Sequence, residues 1–216
     1  MCIVSIFSQK NGDFILTHNR DESHLRPTSE AVSTQEIFHK KYTGPKDLVS
    51  GGTWIYYSKS FVCCILNGEY QKHSHQPPYR KSRGLVLLDV LKYASFDAFS
   101  QQENFEGIEP FTLIFLHRLT TEKKILVWDG ANKHIEDVSE QEIIVRSSSP
   151  LYNAAEKMEH QMQFEHLKNN NAEEIYQLHD QLKMLPNDRF PTVQTTSITQ
   201  IIHQKNAIDL LFCPIS

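Results

Sequence analysis

The residue best equipped for chemistry stands second in the chain. Cys2 follows Met1, and a side chain this small permits removal of an initiator methionine, leaving one residue with both a thiol and a free α-amine. Such an amine titrates near about 7.7 to 8.0, so it accepts the thiol proton at working pH and makes Cys2 both nucleophile and general base. The second constellation is Asn19-Arg20-Asp21-Glu22. A guanidinium beside a thiol lowers its pKa, and a carboxylate beside an α-ammonium orients it. Without one another, Cys2 is a small apolar residue on a first strand and the charged run is a solvated strand end.

Bringing the two together is the task of the first elements. Residues 2 to 8 are β-rich and stop at Gln9-Lys10-Asn11-Gly12-Asp13, where Asn-Gly is a strong hairpin signal. Residues 14 to 18 return as a second strand, so the hairpin lays Cys2 beside Asn19 to Glu22, expected just past that strand's end. Residues 23 to 50 are polar, with Pro27, Gly44 and Pro45, and predict an irregular excursion. Gly51-Gly52 leads into a second hairpin over 53 to 57 and 61 to 66, closed by Asn67-Gly68, and 69 to 81 form a Pro-, His- and Gln-rich loop. Ser82 is placed to cap a helix reaching about Ser95, with Leu85, Leu88 and Leu91 on one side, and a short helix follows over 96 to 102.

Strands are expected at 111 to 116, 124 to 128 and 142 to 146. Helices follow over 153 to 168 and 172 to 184, split by Asn169-Asn170-Asn171, with Met158, Met162 and Phe164 on one buried face and Ile175, Leu178, Leu182 and Leu185 on the other. A hairpin over 196 to 203 and 207 to 212 closes the chain. This order of hairpins, helices and hairpins describes an α+β protein.

The chain has 216 residues, 39% of them hydrophobic and 10% aromatic, enough for a core that buries roughly 70% of the unfolded surface and to exclude disorder as the default. A single domain over residues 1–216 is expected. Lys and Arg (22) fall short of Asp and Glu (26) and are scattered, which excludes an electrostatic nucleic-acid partner. No apolar run approaches the ~18 residues of a membrane helix, and the first apolar segment has no basic leader, so no integral membrane segment and a cytoplasmic location are expected. Cys2, Cys63, Cys64 and Cys213 lack metal-ligand spacing and read as reduced thiols; His73 and His75 alone are close in sequence, and no metal is expected. Nothing in the sequence speaks to oligomeric state.

Met1-Cys2-Ile3, Asn19-Arg20-Asp21-Glu22, Arg26-Pro27, Gly51-Gly52-Thr53-Trp54 and an Asn67 after a strand, in this order and spacing, resemble the NRDE family, also called Transport and Golgi organisation 2 proteins. The resemblance is specific over the first third of the chain. It implies a four-layer αββα sandwich of the N-terminal nucleophile hydrolase type, with a more distant likeness to the choloylglycine hydrolase and penicillin acylase group. Carried over by position, it makes Cys2 the nucleophile, Arg20 the thiolate-stabilising cation, Asp21 the carboxylate holding the α-amine and Asn67 an oxyanion donor or substrate contact. Asn19, Trp54 and Ser148 become substrate-side candidates, although Asn19 and Glu22 also fit a turn held by backbone hydrogen bonds, and Trp54 fits plain core.

Two departures stand out. In Ser147-Ser148-Ser149-Pro150, Ser148 takes the place of an asparagine of the oxyanion segment, where losing a well-placed donor costs on the order of 2.7 to 4 kcal/mol. Gln194 precedes Thr195-Thr196-Ser197 where the family often has arginine. With Cys2 as nucleophile, the function expected is hydrolysis of a non-peptide C–N bond in a small molecule without a cofactor, although the resemblance itself names no substrate. The alternative it implies is non-catalytic handling of haem or another small ligand, for which Cys213-Pro214 and His117, His160, His166 and His203 are the residues to inspect.

Overall fold

The computed structural model describes residues 2–68, 70–205 and 207–215; Met1, and with it the expected removal of the methionine, lies outside the described residues. The chain divides into two compact units: the segment up to Arg26 together with the segment from Glu140 onward, and Pro27–Ser139.

In the first unit β1 (Cys2–Ser8) and β2 (Phe14–Ser23) form the expected hairpin. At its turn the Gly12 N–H donates to the Gln9 carbonyl at 3.0 Å, and Gly12 takes a φ of 88°, which an asparagine-glycine turn supplies without steric cost. With β10 (Ile143–Ser147), β11 (Val193–Gln204) and β12 (Ala207–Pro214) the hairpin builds an antiparallel sheet of order β10-β1-β2-β11-β12. One expectation is corrected here. Asn19-Arg20-Asp21-Glu22 does not follow the second strand but lies inside it, because β11 pairs with β2 as far as Ser23 and keeps the polar end extended.

Two helices, α3 (Ala154–Glu165) and α4 (Ala172–Gln181), are started by asparagines. Asn153 forms a capping box with Glu156, and Asn171 accepts the Glu174 N–H at 2.9 Å, so the asparagine run that breaks the helical segment also begins α4. Phe164 and Ile175 pack with Ile3, Phe7 and Val145 of the sheet, each such side chain contributing about 1.5 to 3 kcal/mol on burial. The expected buried faces are only half right. Met158 and Met162 are 65% and 51% exposed and Leu185 is 73% exposed; the inward positions are His160 and Phe164 on α3 and Ile175 and His179 on α4. Leu178 and Leu182 pack against the core as expected, but two of the four buried positions are histidines that an apolar count does not include.

The Pro27–Ser139 unit is a seven-stranded antiparallel meander in chain order: β3 (Ser33–Ile37), β4 (Lys40–Gly44), β5 (Ile55–Ser58), β6 (Phe61–Asn67), β7 (Phe111–His117), β8 (Lys123–Trp128) and β9 (Lys133–Asp137). The β3–β4 hairpin lies in the stretch expected to be irregular, and β9 is a strand the sequence reading lacks. Both edge strands are largely exposed and polar, so neither carries the alternation that marks a half-buried strand. The helix expected to reach Ser95 is α1 (Arg83–Asp89) plus a 3-10 turn at Val90–Lys92; α2 (Phe96–Gln102) then starts on Ser95, whose hydroxyl accepts the Ala98 N–H at 3.2 Å. Gly52 permits a close backbone approach, since a Cβ there would stand 2.5 Å from the Gly84 carbonyl carbon. All four cysteines are free thiols. Among the described residues no helix is long and apolar enough to cross a membrane.

Candidate active site

Cys2 opens β1 and stands opposite Arg20 of β2. Directly opposed residues of an antiparallel pair project to the same face, so thiol and guanidinium share one side of the sheet, followed along it by Val4 with His18 and Ile6 with Leu16. The pair is buried, Cys2 at 2% exposure and Arg20 at 3%. Arg20 Nη1 donates to Thr196 Oγ1 at 2.9 Å, and the same hydroxyl donates to the Arg20 carbonyl at 3.1 Å, which holds the guanidinium back along β11. Burial pushes the Cys2 thiol up, the Asp21 carboxylate adds to the rise, and Arg20 pulls the other way without reversing it. The expected lowering by Arg20 is thus present but outweighed. At rest Cys2 is a neutral thiol that needs a base.

Asp21 alternates with Arg20 and projects to the opposite face. It is fully buried and accepts two hydroxyl hydrogen bonds, from Thr195 Oγ1 to Oδ1 at 2.6 Å and from Tyr152 OH to Oδ2 at 2.9 Å. Burial pushes its pKa up to about 6 from the ordinary 3.8, although both hydroxyls favour the charged form. A bulge in β11 makes this arrangement. Thr195 pairs with Asp21 and Ser197 with Arg20, leaving Thr196 as the extra residue. Without the bulge Thr195 and Ser197 would share a face; with it, one serves the carboxylate and the other the Cys2 side, the re-aiming that bulges beside functional sites perform. Thr195 is anchored in turn by Met184, whose N–H donates to Oγ1 at 2.7 Å and whose carbonyl accepts the Thr195 N–H at 2.9 Å.

Behind this row Asn19 is clamped to α4. Asn19 Nδ2 donates to the His179 carbonyl at 2.8 Å, and Asn19 Oδ1 lies 2.8 Å from His179 Nδ1. An amide oxygen only accepts, so Nδ1 carries the proton and Nε2, 2.8 Å from Ser5 Oγ, accepts from that hydroxyl. All three residues are completely buried, and burial holds the His179 pKa well below the ordinary imidazole value. Asn19 therefore braces the strand against α4, where a turn had been expected. Glu22 does bond locally, its Oε1 accepting the Ser23 N–H at 2.9 Å.

Ser148, from the departing end of β10, donates its N–H to the Cys2 carbonyl at 2.9 Å and is buried. Asn67 and Trp54 belong to the Pro27–Ser139 unit: Asn67 ends β6 opposite Phe111, and Trp54 is buried with its carbonyl accepting the Ile65 N–H at 2.9 Å. The structure thus places Cys2, Asn19, Arg20 and Asp21 on two paired strands, Cys2 with Arg20 on one face and Asn19 with Asp21 on the other, and ties Ser148 to the Cys2 backbone just past the end of β10. The histidines singled out for a haem ligand have other contacts: His160 Nδ1 lies 2.8 Å from Ser147 Oγ, His166 Nδ1 donates to the Met162 carbonyl, His117 Nδ1 accepts the Leu119 N–H, and His203 stacks on Phe14. His73 and His75 both meet Glu109, which also pairs with Arg83.

A family model described as Transport and Golgi organisation 2 matches residues 1–214. The chain belongs to this family. Among curated proteins none matches. Two solved structures are similar in fold: a C2A mutant conjugated bile acid hydrolase from Clostridium perfringens (TM-score 0.59, 10% identity, 98% of this chain and 92% of that one), and a penicillin V acylase from Agrobacterium tumefaciens (TM-score 0.60, 10% identity, 99% and 86%). The Transport and Golgi organisation 2 chain therefore has the α+β fold of the N-terminal nucleophile hydrolases.

Within that family frame, sequence reasoning missed Thr195, Tyr152, Ser5 and His179. A signal existed for Ser5 alone: it interrupts the apolar run of β1, and a polar residue inside a buried apolar strand marks a hydrogen-bond partner on that face. Tyr152 had no such signal, because it lies outside any element.

Proposed function

We propose that this protein is an N-terminal-cysteine amidohydrolase acting on a non-peptide C–N bond of a small molecule. The observation that carries the reading is the register pair of Cys2 and Arg20 on one face of the sheet, with the Asp21 carboxylate alternating to the other face between Thr195 and Tyr152. Similarity in fold to a hydrolase and an acylase by name, one of them solved as a C2A mutant, supports it.

In this reading removal of Met1 exposes the Cys2 α-amine. The amine takes the thiol proton as Sγ attacks the amide carbonyl carbon, forming an S–C bond and a tetrahedral oxyanion. Arg20 stabilises the developing thiolate, and Asp21, ionised above about pH 6, pairs with the α-ammonium. Ser148 is the candidate oxyanion donor. Collapse breaks the C–N bond, with the ammonium proton passing to the leaving amine, and water then cleaves the thioester with the α-amine again as base. The buried neutral thiol fits this scheme, since a thiol held above its usual pKa depends on a base at hand.

The test is a panel of small N-acyl amides scored by released amine, run with the wild type and Cys2→Ala. Turnover by the wild type that vanishes in a folded Cys2→Ala protein is the expected result. Turnover that survives the substitution overturns the proposal.

A further inference from the structure

Four hydroxyl-bearing residues lie along one stretch of β11, and they divide by face. Thr195 bonds Asp21, and Thr196, the bulged residue, bonds Arg20. Ser197 and Thr199 are completely buried, and neither hydroxyl has a hydrogen-bond partner among the described residues. Gln200, on the helix side, bonds Thr17 Oγ1 at 3.0 Å and the Ala172 carbonyl at 2.9 Å. Buried polar side chains that make no bond within the protein are uncommon enough that each calls for a reason.

The register says where these two point. Ser197 stands opposite Arg20 and Thr199 opposite His18, and Arg20 and His18 stand opposite Cys2 and Val4. Both hydroxyls therefore share the Cys2 face, two strands away from the thiol, which at a strand spacing of about 4.8 Å is roughly 10 Å. The bulge at Thr196 is what turns Ser197 to this side.

We propose that Ser197 Oγ, Thr199 Oγ1 and the Arg20 guanidinium form a subsite for a carboxylate of the substrate, held roughly 10 Å from the Cys2 sulfur. Two hydroxyls that donate, next to a fixed cation, suit a group that only accepts and carries negative charge, and charge-assisted bonds of this kind are the strong ones. The proposal rests on the hydrolase reading in taking the Cys2 end of the face as the reacting end. It narrows the substrate class to amides whose acyl or amine part ends in a carboxylate about five to seven bonds from the scissile carbonyl, at roughly 1.3 to 1.5 Å per bond.

The test titrates N-acetyl-6-aminohexanoate and its methyl ester into the full chain, followed by NMR, for the wild type, Ser197→Ala and Thr199→Val. The acid is expected to bind saturably and at least about tenfold more tightly than the ester. Each substitution should weaken the acid at least about fivefold without lowering the melting temperature, because neither hydroxyl loses a partner. Equal affinity for acid and ester, no binding of the acid, or unchanged binding in both variants overturns the subsite and leaves the hydroxyls holding water only. Alkylation of wild-type Cys2 by neutral iodoacetamide, measured alongside, separates the two claims. An inert Cys2 with acid bound through the two hydroxyls removes the nucleophile and keeps the subsite, whereas a reactive Cys2 with no acid binding does the reverse.

Discussion

Replacing Asp21 by asparagine should make the protein more stable at neutral pH and inactive. The carboxyl is fully buried and its pKa is raised to about 6 from 3.8. The folded protein therefore holds the proton more tightly than the unfolded chain, and stability contributed by the protonated group is present below about pH 4 and lost as pH rises through 6. Holding this carboxylate charged above pH 6, when its proton leaves only at about 6 and not at 3.8, costs about 3 kcal/mol. The amide that replaces the carboxyl carries no charge to bury, and the Thr195 and Tyr152 hydroxyls can reorient to serve it.

Asp21→Asn should thus match the wild type near pH 4 and exceed it by about 3 kcal/mol at pH 7.5, or roughly 6 to 12 °C in melting temperature for a chain of this size. Urea unfolding of both proteins across pH 4 to 8 measures this. The difference between the two curves is the quantity to read, because it cancels His179, whose depressed pKa has the opposite sign and withdraws stability as pH falls below about 6.5. An Asp21→Asn protein no more stable than wild type at pH 7.5, or a difference that does not grow between pH 4 and 6, would refute the reasoning that Asp21 is held charged at an energetic cost. Residues kept against stability in this way are expected where charge is needed for function.

Further outcomes follow from the same geometry. Tyr152→Phe removes a donor that favours the charged form, so the pH at which Asp21 ionises should move above 6, seen as an alkaline shift of the acidic limb in the pH profile of Cys2 alkylation. His179→Ala strands Ser5 and Asn19, both completely buried, and should cost about 2 to 5 kcal/mol by urea unfolding, whereas Met158→Ala on the exposed side of α3 should stay within about 0.5 kcal/mol. Cys2→Ala should unfold within about 1 kcal/mol of the wild type while losing all turnover in the amide panel, so that loss of activity reports chemistry and not folding.

Much of this could be read from the chain because the decisive signals are local. Asn11-Gly12 specifies the first hairpin, and the hairpin alone sets Cys2 against Arg20. What escaped depends on partners far along the sequence. The Asn19 to Glu22 stretch looks like a polar strand end until β11, more than 170 residues later, pairs with it. Which face Thr195 and Ser197 take depends on a bulge that one sequence does not announce. The inward histidines of α3 and α4 escaped because a search for apolar residues at helical spacing passes over polar groups that the sheet's hydroxyls and amides satisfy. The edge strands β3 and β9 escaped because their polar sequences carry no inward face.

The central claim is that Cys2 is a primed N-terminal nucleophile, and intact mass before and after brief alkylation at neutral pH, with the modified site located by fragmentation, tests it most directly. A mass lacking Met1, with fast labelling at Cys2 over Cys63, Cys64 and Cys213, is the predicted result. A chain that keeps Met1, or a Cys2 that labels no faster than the half-buried Cys213, would contradict it and leave the fold with a ligand-handling role, which a Soret shift on titration with haem would then examine.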